Sequence, residues 1–153
     1  MPLKGNENYS NFRIYYQDTS LLISSLDEDS KIDLNQNKNF GIYSGALYEN
    51  IVSEALVKEG YEDIYFYRTE DSSLELDFVI RFKNYLVPIE VKTKYGKTKS
   101  LNSVIGDSSN NIHYGVKLSS NNIGFDGKIF TFPYFLAFLL KRVFAETDYI
   151  KWN

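Results

Sequence analysis

The sequence predicts an α/β sandwich built on a mixed β-sheet. Three observations predict it. Residues 74–82 alternate with the period of a strand, and residues 85–92 follow after a short turn as a β-branched run. Before them, Leu47, Ile51 and Ala55 form one apolar row of helical spacing, beside Tyr48, Val52 and Leu56. After them the chain continues as helix, strand, strand, helix, an order that suits a mixed sheet flanked by helices.

Each element has a local reason. Residues 1–12 are polar and Asn-rich and read as a loose lead-in, and residues 12–16 (Phe-Arg-Ile-Tyr-Tyr) read as a short strand. Asp18, Thr19 and Ser20 can cap a short helix over Leu21, Leu22 and Ile23. From Asp27 to Asn39 the chain is polar and charged, and a solvated or disordered loop is expected. Ser44 can cap the next helix, which runs to about Glu59 and stops at Gly60. Strands are expected at 64–68, 74–82 and 85–92, the last two joined by Lys83-Asn84. In the middle strand Leu74, Leu76, Phe78, Ile80 and Phe82 are expected to share one face. A basic loop at 93–98 leads to a helix at about 99–107 that carries Leu101, Val104 and Ile105 on one side. Residues 112–118 and 128–132 read as strands, separated by turn residues at 119–124. Pro133 suits the first turn of a closing helix through about Ala145.

Composition removes several functions. With 153 residues the chain is long enough for one domain with a core. It has no cysteine, which excludes disulfides and thiolate metal sites. Its one histidine, His113, excludes a zinc site with two imidazoles and reads as a partly buried structural residue. The net charge of −3 gives no whole-surface attraction for nucleic acid. Met1 to Lys4 leads into polar residues, and the apolar stretch 129–140 is short and broken by Pro133. A soluble, cytoplasmic protein with no membrane partner is therefore expected.

Chemistry concentrates at the end of the strand 85–92. Period two places Leu86, Pro88, Glu90 and Lys92 on one face and Val87, Ile89 and Val91 on the other. If the preceding strand is its hairpin neighbour, Asp77 can lie across from Glu90. Two carboxylates brought close repel unless a cation lies between them, and hard oxygen ligands suit Mg²⁺. Lys92 could then hold a water beside the metal. The same spacing equally fits an exposed ion-pair surface.

The residues also carry a resemblance. Glu75-Leu76-Asp77-Phe78 followed by Ile89-Glu90-Val91-Lys92 resembles the PD-(D/E)XK nuclease signature, with Leu76 where the superfamily has proline. A closer resemblance is to a family of uncharacterised C-terminal domains attached to bacterial and archaeal AAA+-type ATPases. It is carried, in order, by residues 14–18, Gly45-Ala46-Leu47-Tyr48-Glu49-Asn50, the two nuclease-like motifs, Lys99-Ser100-Leu101 and Pro133-Tyr134, over roughly residues 12–145. The resemblance implies a restriction-endonuclease-like three-layer sandwich over residues 38–150, with 1–37 as a lead-in strand, short helix and polar loop. It implies an Mg²⁺- or Mn²⁺-dependent nuclease that hydrolyses nucleic-acid phosphodiester bonds. In that reading Asp77 and Glu90 bind the metal, Glu49 is a third carboxylate, the Val91 carbonyl is a further ligand and Lys92 orients the attacking water. The rival implication is a non-catalytic accessory or interaction module of an ATPase. The expected partners are the AAA+-type ATPase domain of a longer parent chain and nucleic acid, DNA foremost.

Two further motifs are weighed. Lys92, Lys94, Lys97 and Lys99, with Tyr95 between them, could track a phosphate backbone, or simply form a solvated loop. Arg81 and Lys117 would extend such a patch. Gly96-Lys97-Thr98 is not a phosphate loop, because Val91 stands where that motif requires glycine. The aromatic residues Tyr65, Phe66 and Tyr67, with Tyr15 and Tyr16, suit a core better than a base-stacking platform.

Overall fold

Short polar side chains start the first two helices. In the computed structural model, which describes residues 3–36, 40–93 and 97–146, Asp18 accepts from the Ser20 N–H at the head of α1 (Thr19–Ser24). Asp27 accepts from Ser30 at the head of α2 (Glu28–Asn35). Both are N-caps that satisfy a helix-end N–H. The second corrects the expectation of a loop from Asp27 onward: a cap and the Glu28–Lys31 pair at 3.0 Å hold a helix there. Residues 37–39, the end of that expected loop, lie outside the described residues.

Helix α3 (Phe40–Lys58) begins before its expected cap. Ser44 lies inside the helix and donates to the Gly41 carbonyl at 3.3 Å. The helix ends as expected at Gly60, whose φ of +81° suits glycine, and the Tyr61 N–H closes on the Leu56 carbonyl at 3.1 Å. Residues 12–16 form no strand. Their backbone pairs with a side chain of α3 instead: the Tyr16 N–H donates to Asn50 Oδ1 at 2.8 Å, and Asn50 Nδ2 donates to the Tyr16 carbonyl at 3.2 Å.

Six strands form one sheet in the order β1 (Tyr65–Arg68), β2 (Glu75–Phe82), β3 (Tyr85–Val91), β4 (Gly115–Ser119), β6 (Ile129–Pro133) and β5 (Gly124–Phe125). The first three are antiparallel, β3, β4 and β6 run parallel, and β5 closes antiparallel on β6. The sheet is therefore mixed, as expected. Strand β5 was not expected, because two residues inside a run of turn formers carry no periodicity. After Pro133 the chain makes 3-10 turns over Tyr134–Leu139 before α5 (Leu140–Glu146), not one continuous helix.

Helices cover both faces. Val52 and Leu56 of α3, with Leu140 and Phe144 of α5, pack on Phe78, Ile80, Ile89 and their neighbours. Leu101, Val104 and Ile105 of α4 (Lys99–Gly106) pack on Leu76, Val79 and Ile129. Leu76 and Phe78 thus belong to opposite faces, contrary to the alternation read from sequence. The cause is a bulge: Tyr65 pairs with Val79 and Tyr67 with Leu76, so Asp77 and Phe78 together oppose the single residue Phe66. His113 is exposed, not partly buried, with its ring edge-on to Tyr85 at 6.1 Å. Among the described residues no helix is long and apolar enough to cross a membrane.

Gly115 shows how tightly α4 seats on the sheet. A Cβ there would lie 2.6 Å from Leu101 Cδ1 and 2.9 Å from Ile105 Cδ1. Gly115→Ala is expected to lower stability by roughly 1–3 kcal/mol, the usual cost of overpacking. Urea denaturation of the variant beside the parent chain checks this; equal midpoints would contradict the packing described.

Candidate functional site

The bulge that breaks the alternation also aims the acidic residues. Asp77 turns toward α3, where Glu49 and the lead-in segment lie. Its Oδ2 accepts from the Val91 N–H of β3 at 2.7 Å, and its Oδ1 faces Arg13 Nη1 at 3.8 Å. The same nitrogen lies 3.3 Å from Glu49 Oε2 and 3.4 Å from the Asp77 carbonyl oxygen. Arg13 Nη2 pairs with Glu75. The guanidinium lies over the Phe66 ring at 4.8 Å, and the Tyr15 hydroxyl donates to Glu49 Oε2 at 3.3 Å. One planar cation therefore serves three carboxylates, a role that suits the forked donors of arginine.

Glu90 and Lys92 form a second, adjoining pair. Glu90 is buried at the end of β3, and its Oε1 lies 2.6 Å from Lys92 Nζ. Its Oε2 is buried with no hydrogen-bond partner among the described residues. The Lys92 backbone is held on both sides: its N–H donates to the Leu118 carbonyl at 2.8 Å, and its carbonyl accepts from the Tyr134 hydroxyl. Tyr134 stacks on Tyr48 of α3 at 4.0 Å. Burial, with Tyr48 beside it, pushes the Tyr134 phenol up to about 12, so it remains a donor.

Burial raises three carboxyl groups, that of buried Glu90 and those of the partly buried Asp77 and Glu49. Glu49 is raised by burial and then by Asp77, against Arg13 and Tyr15. Asp77 is raised by burial, against the Val91 N–H, Arg13 and Lys92. Glu90 is raised by burial, against Lys92 and, more weakly, the Leu101 N–H. Removing water disfavours the charged form more than the nearby cations restore it.

The structure brings Glu49, Asp77, Glu90 and Lys92 to neighbouring positions, as the sequence implied, but not as a metal centre. Among the described residues no group of three or more His, Cys, Asp or Glu side chains is placed to hold a metal ion, and the chain has no cysteine. The expectation of an Mg²⁺ or Mn²⁺ cofactor bound by Asp77, Glu90, Glu49 and Val91 is corrected accordingly. So are the metal-dependent nuclease and hydrolase readings built on it. The physical reason lies in the acceptors. Asp77, Glu49 and Glu90 each already accept hydrogen bonds from protein N–H or O–H groups, and Arg13 supplies the positive charge that a divalent ion would have brought. Val91 contributes its N–H to Asp77.

Sequence reasoning missed Arg13 and Glu75. Arg13 lies 36 residues before Glu49 and 64 before Asp77 along the chain, so no spacing joins them. The one available signal was Arg13 between the apolar residues Phe12 and Ile14 in an expected strand. Of the basic run, Lys97 and Lys99 are exposed, and Lys94 lies outside the described residues. Arg81 is exposed, with its Nε on the Lys83 carbonyl at 3.3 Å.

The family described as "Domain of unknown function (DUF4143)" matches residues 44–135 of the chain. No curated protein and no solved structure matches it.

Two outcomes follow from the cluster. Arg13→Ala leaves three carboxylates without their shared cation and is expected to cost roughly 1–3 kcal/mol at neutral pH, read by chemical denaturation. The raised carboxyl groups set the sign of the pH dependence. The folded chain holds their protons at pH values where the unfolded chain has lost them. Their contribution is therefore fully present below the ordinary carboxylate range and is lost as pH rises through the raised folded-state values. Glu90→Gln removes one of these titrations, so its stability relative to the parent should improve with rising pH across that window. A difference that stays flat with pH would contradict the assignment.

Proposed function

The chain belongs to the DUF4143 family, which occurs as a C-terminal module attached to AAA+-type ATPases, and we propose that it acts as a non-catalytic accessory module of such an ATPase. One observation carries this reading. The acid and base residues that resemble a nuclease site are engaged with one another, and Arg13 occupies the centre of the acidic group. Side chains engaged with one another in this way hold the lead-in, α3 and β2 in a fixed arrangement.

The finer identity of the sheet belongs to the same proposal. Asp77 and the Glu-x-Lys motif lie on adjacent antiparallel strands, and helices cover both faces, which supports a restriction-endonuclease-like sandwich reused as a scaffold. Residues 38–150 form that scaffold in this reading, and 1–37 form a lead-in that docks on α3. Glu49, Asp77, Glu90 and Lys92 then act as the electrostatic core of the module, and the partner is the ATPase domain. A cytoplasmic setting is part of the same reading.

The test uses the purified chain and a purified AAA+-type ATPase domain taken from a protein that carries this module. Calorimetry is expected to show saturable binding, and ATP hydrolysis by the domain is expected to change on binding. Absence of binding, together with cleavage of a nucleic-acid substrate that Asp77→Asn abolishes, would overturn the reading.

A further inference from the structure

Residues 9–19 are attached to the rest of the chain mainly by polar contacts, with Tyr15 as their apolar anchor. Among the described residues, every fully buried apolar side chain lies in residues 47–144, and within residues 9–19 Tyr15 alone packs, partly buried, against that core. Within the lead-in, alternate residues behave differently. Arg13 and Tyr15 point in, the latter with its ring 5.5 Å from Phe78. Phe12 and Ile14 point out and are 73% and 80% exposed. The inward contacts are the Arg13 cluster, the Asn50 pairing with Tyr16, and Thr19, whose N–H and hydroxyl both donate to Glu54 Oε2 at 3.0 Å. A segment held by one fork of charge and a few hydrogen bonds opens more readily than a segment seated by apolar burial.

The recess under this segment has a definite chemistry. Three carboxylates and the Asp77 carbonyl converge on one guanidinium, Phe66 provides its stacking face, and the unpartnered Oε2 of buried Glu90 adds negative charge at the adjoining strand end. Such a recess reads an arginine in an extended peptide with an aromatic residue two positions later. The segment that matches it is this chain's own.

We propose that residues 9–19 form a separable strap keyed by Arg13, and that the recess beneath it binds the same segment of a second copy of the chain when its own strap lifts. The inference is independent of the module reading and goes beyond it by naming an occupant for this face. In one chain the tether keeps the strap at a high effective concentration, so the intramolecular contact dominates in dilute solution. Exchange between copies is the corresponding contact in trans.

The experiment uses the full chain and a fluorescent peptide of residues 9–20. In Arg13→Glu the chain's own strap is repelled by the carboxylates, which leaves the recess open to the peptide. The variant is expected to bind the peptide at least about tenfold more tightly than the parent chain, because apparent affinity scales with the fraction of open recess. A peptide with Arg13→Lys is expected to bind more weakly, since an ammonium cannot reproduce the fork. Equal affinities for parent and variant, or no saturable binding to a folded variant, overturn the proposal. If the variant does not fold, hydrogen exchange on the parent chain decides. The Tyr16 and Thr19 amides are expected to exchange together and well before those of β3, and equal protection overturns the strap. ATPase-domain binding that persists while these results fail removes the strap and leaves the module reading standing.

Discussion

Everything at this site depends on one guanidinium among three carboxylates. Glu49 comes from α3, and Glu75 and Asp77 come from β2, and their negative charges would repel at these distances without a cation between them. Arg13 provides the cation, and the Phe66 ring supports its flat face. The geometry exists because β2 bulges opposite Phe66, which turns Asp77 out of the row that Val79 continues toward α4. One extra residue in one strand thus decides which helix the carboxylate meets.

The consequence is a site whose residue types suggest one chemistry and whose geometry supports another. An aspartate and a Glu-x-Lys on adjacent strands are suitable parts for metal-assisted hydrolysis. Here Asp77 accepts from the Val91 N–H, Glu49 from the Tyr15 hydroxyl and Arg13, and Glu90 Oε1 pairs with Lys92, while Glu90 Oε2 has no partner among the described residues. Burial raises the Glu49, Asp77 and Glu90 carboxyl groups above their ordinary values. Function follows these contacts, since a fold by itself does not specify it.

Most of the fold was legible in the sequence, and the misses share a cause. The hairpin of β2 and β3, the α4 stripe and the stop of α3 at Gly60 follow from periodicity and turn chemistry, which are local. The helix at Glu28–Asn35 was missed because its two apolar residues, Ile32 and Leu34, make no helical stripe and its Asp27 cap is the main local mark. The expected strand at 12–16 failed because its backbone meets Asn50 and not a neighbouring strand, a choice made by residues far along the chain. Strand β5 exists only because β6 offers an edge. Of the site, Glu49, Asp77, Glu90 and Lys92 were legible as neighbours from strand period and from family resemblance. Their roles were not, because those depend on what each oxygen accepts.

The strand that ends in Glu90 and Lys92 shows where the division falls. By itself the sequence determined that an acid and a base would share the end of a buried strand, beside an aspartate on its hairpin partner, because strand period and a two-residue turn are properties of the local chain. Only the tertiary structure decided that Asp77 would turn toward Arg13 while Glu90 pairs with Lys92. That decision belongs to a bulge and to a lead-in segment docked from 64 residues away, and contacts over such distances leave no period in the sequence to read.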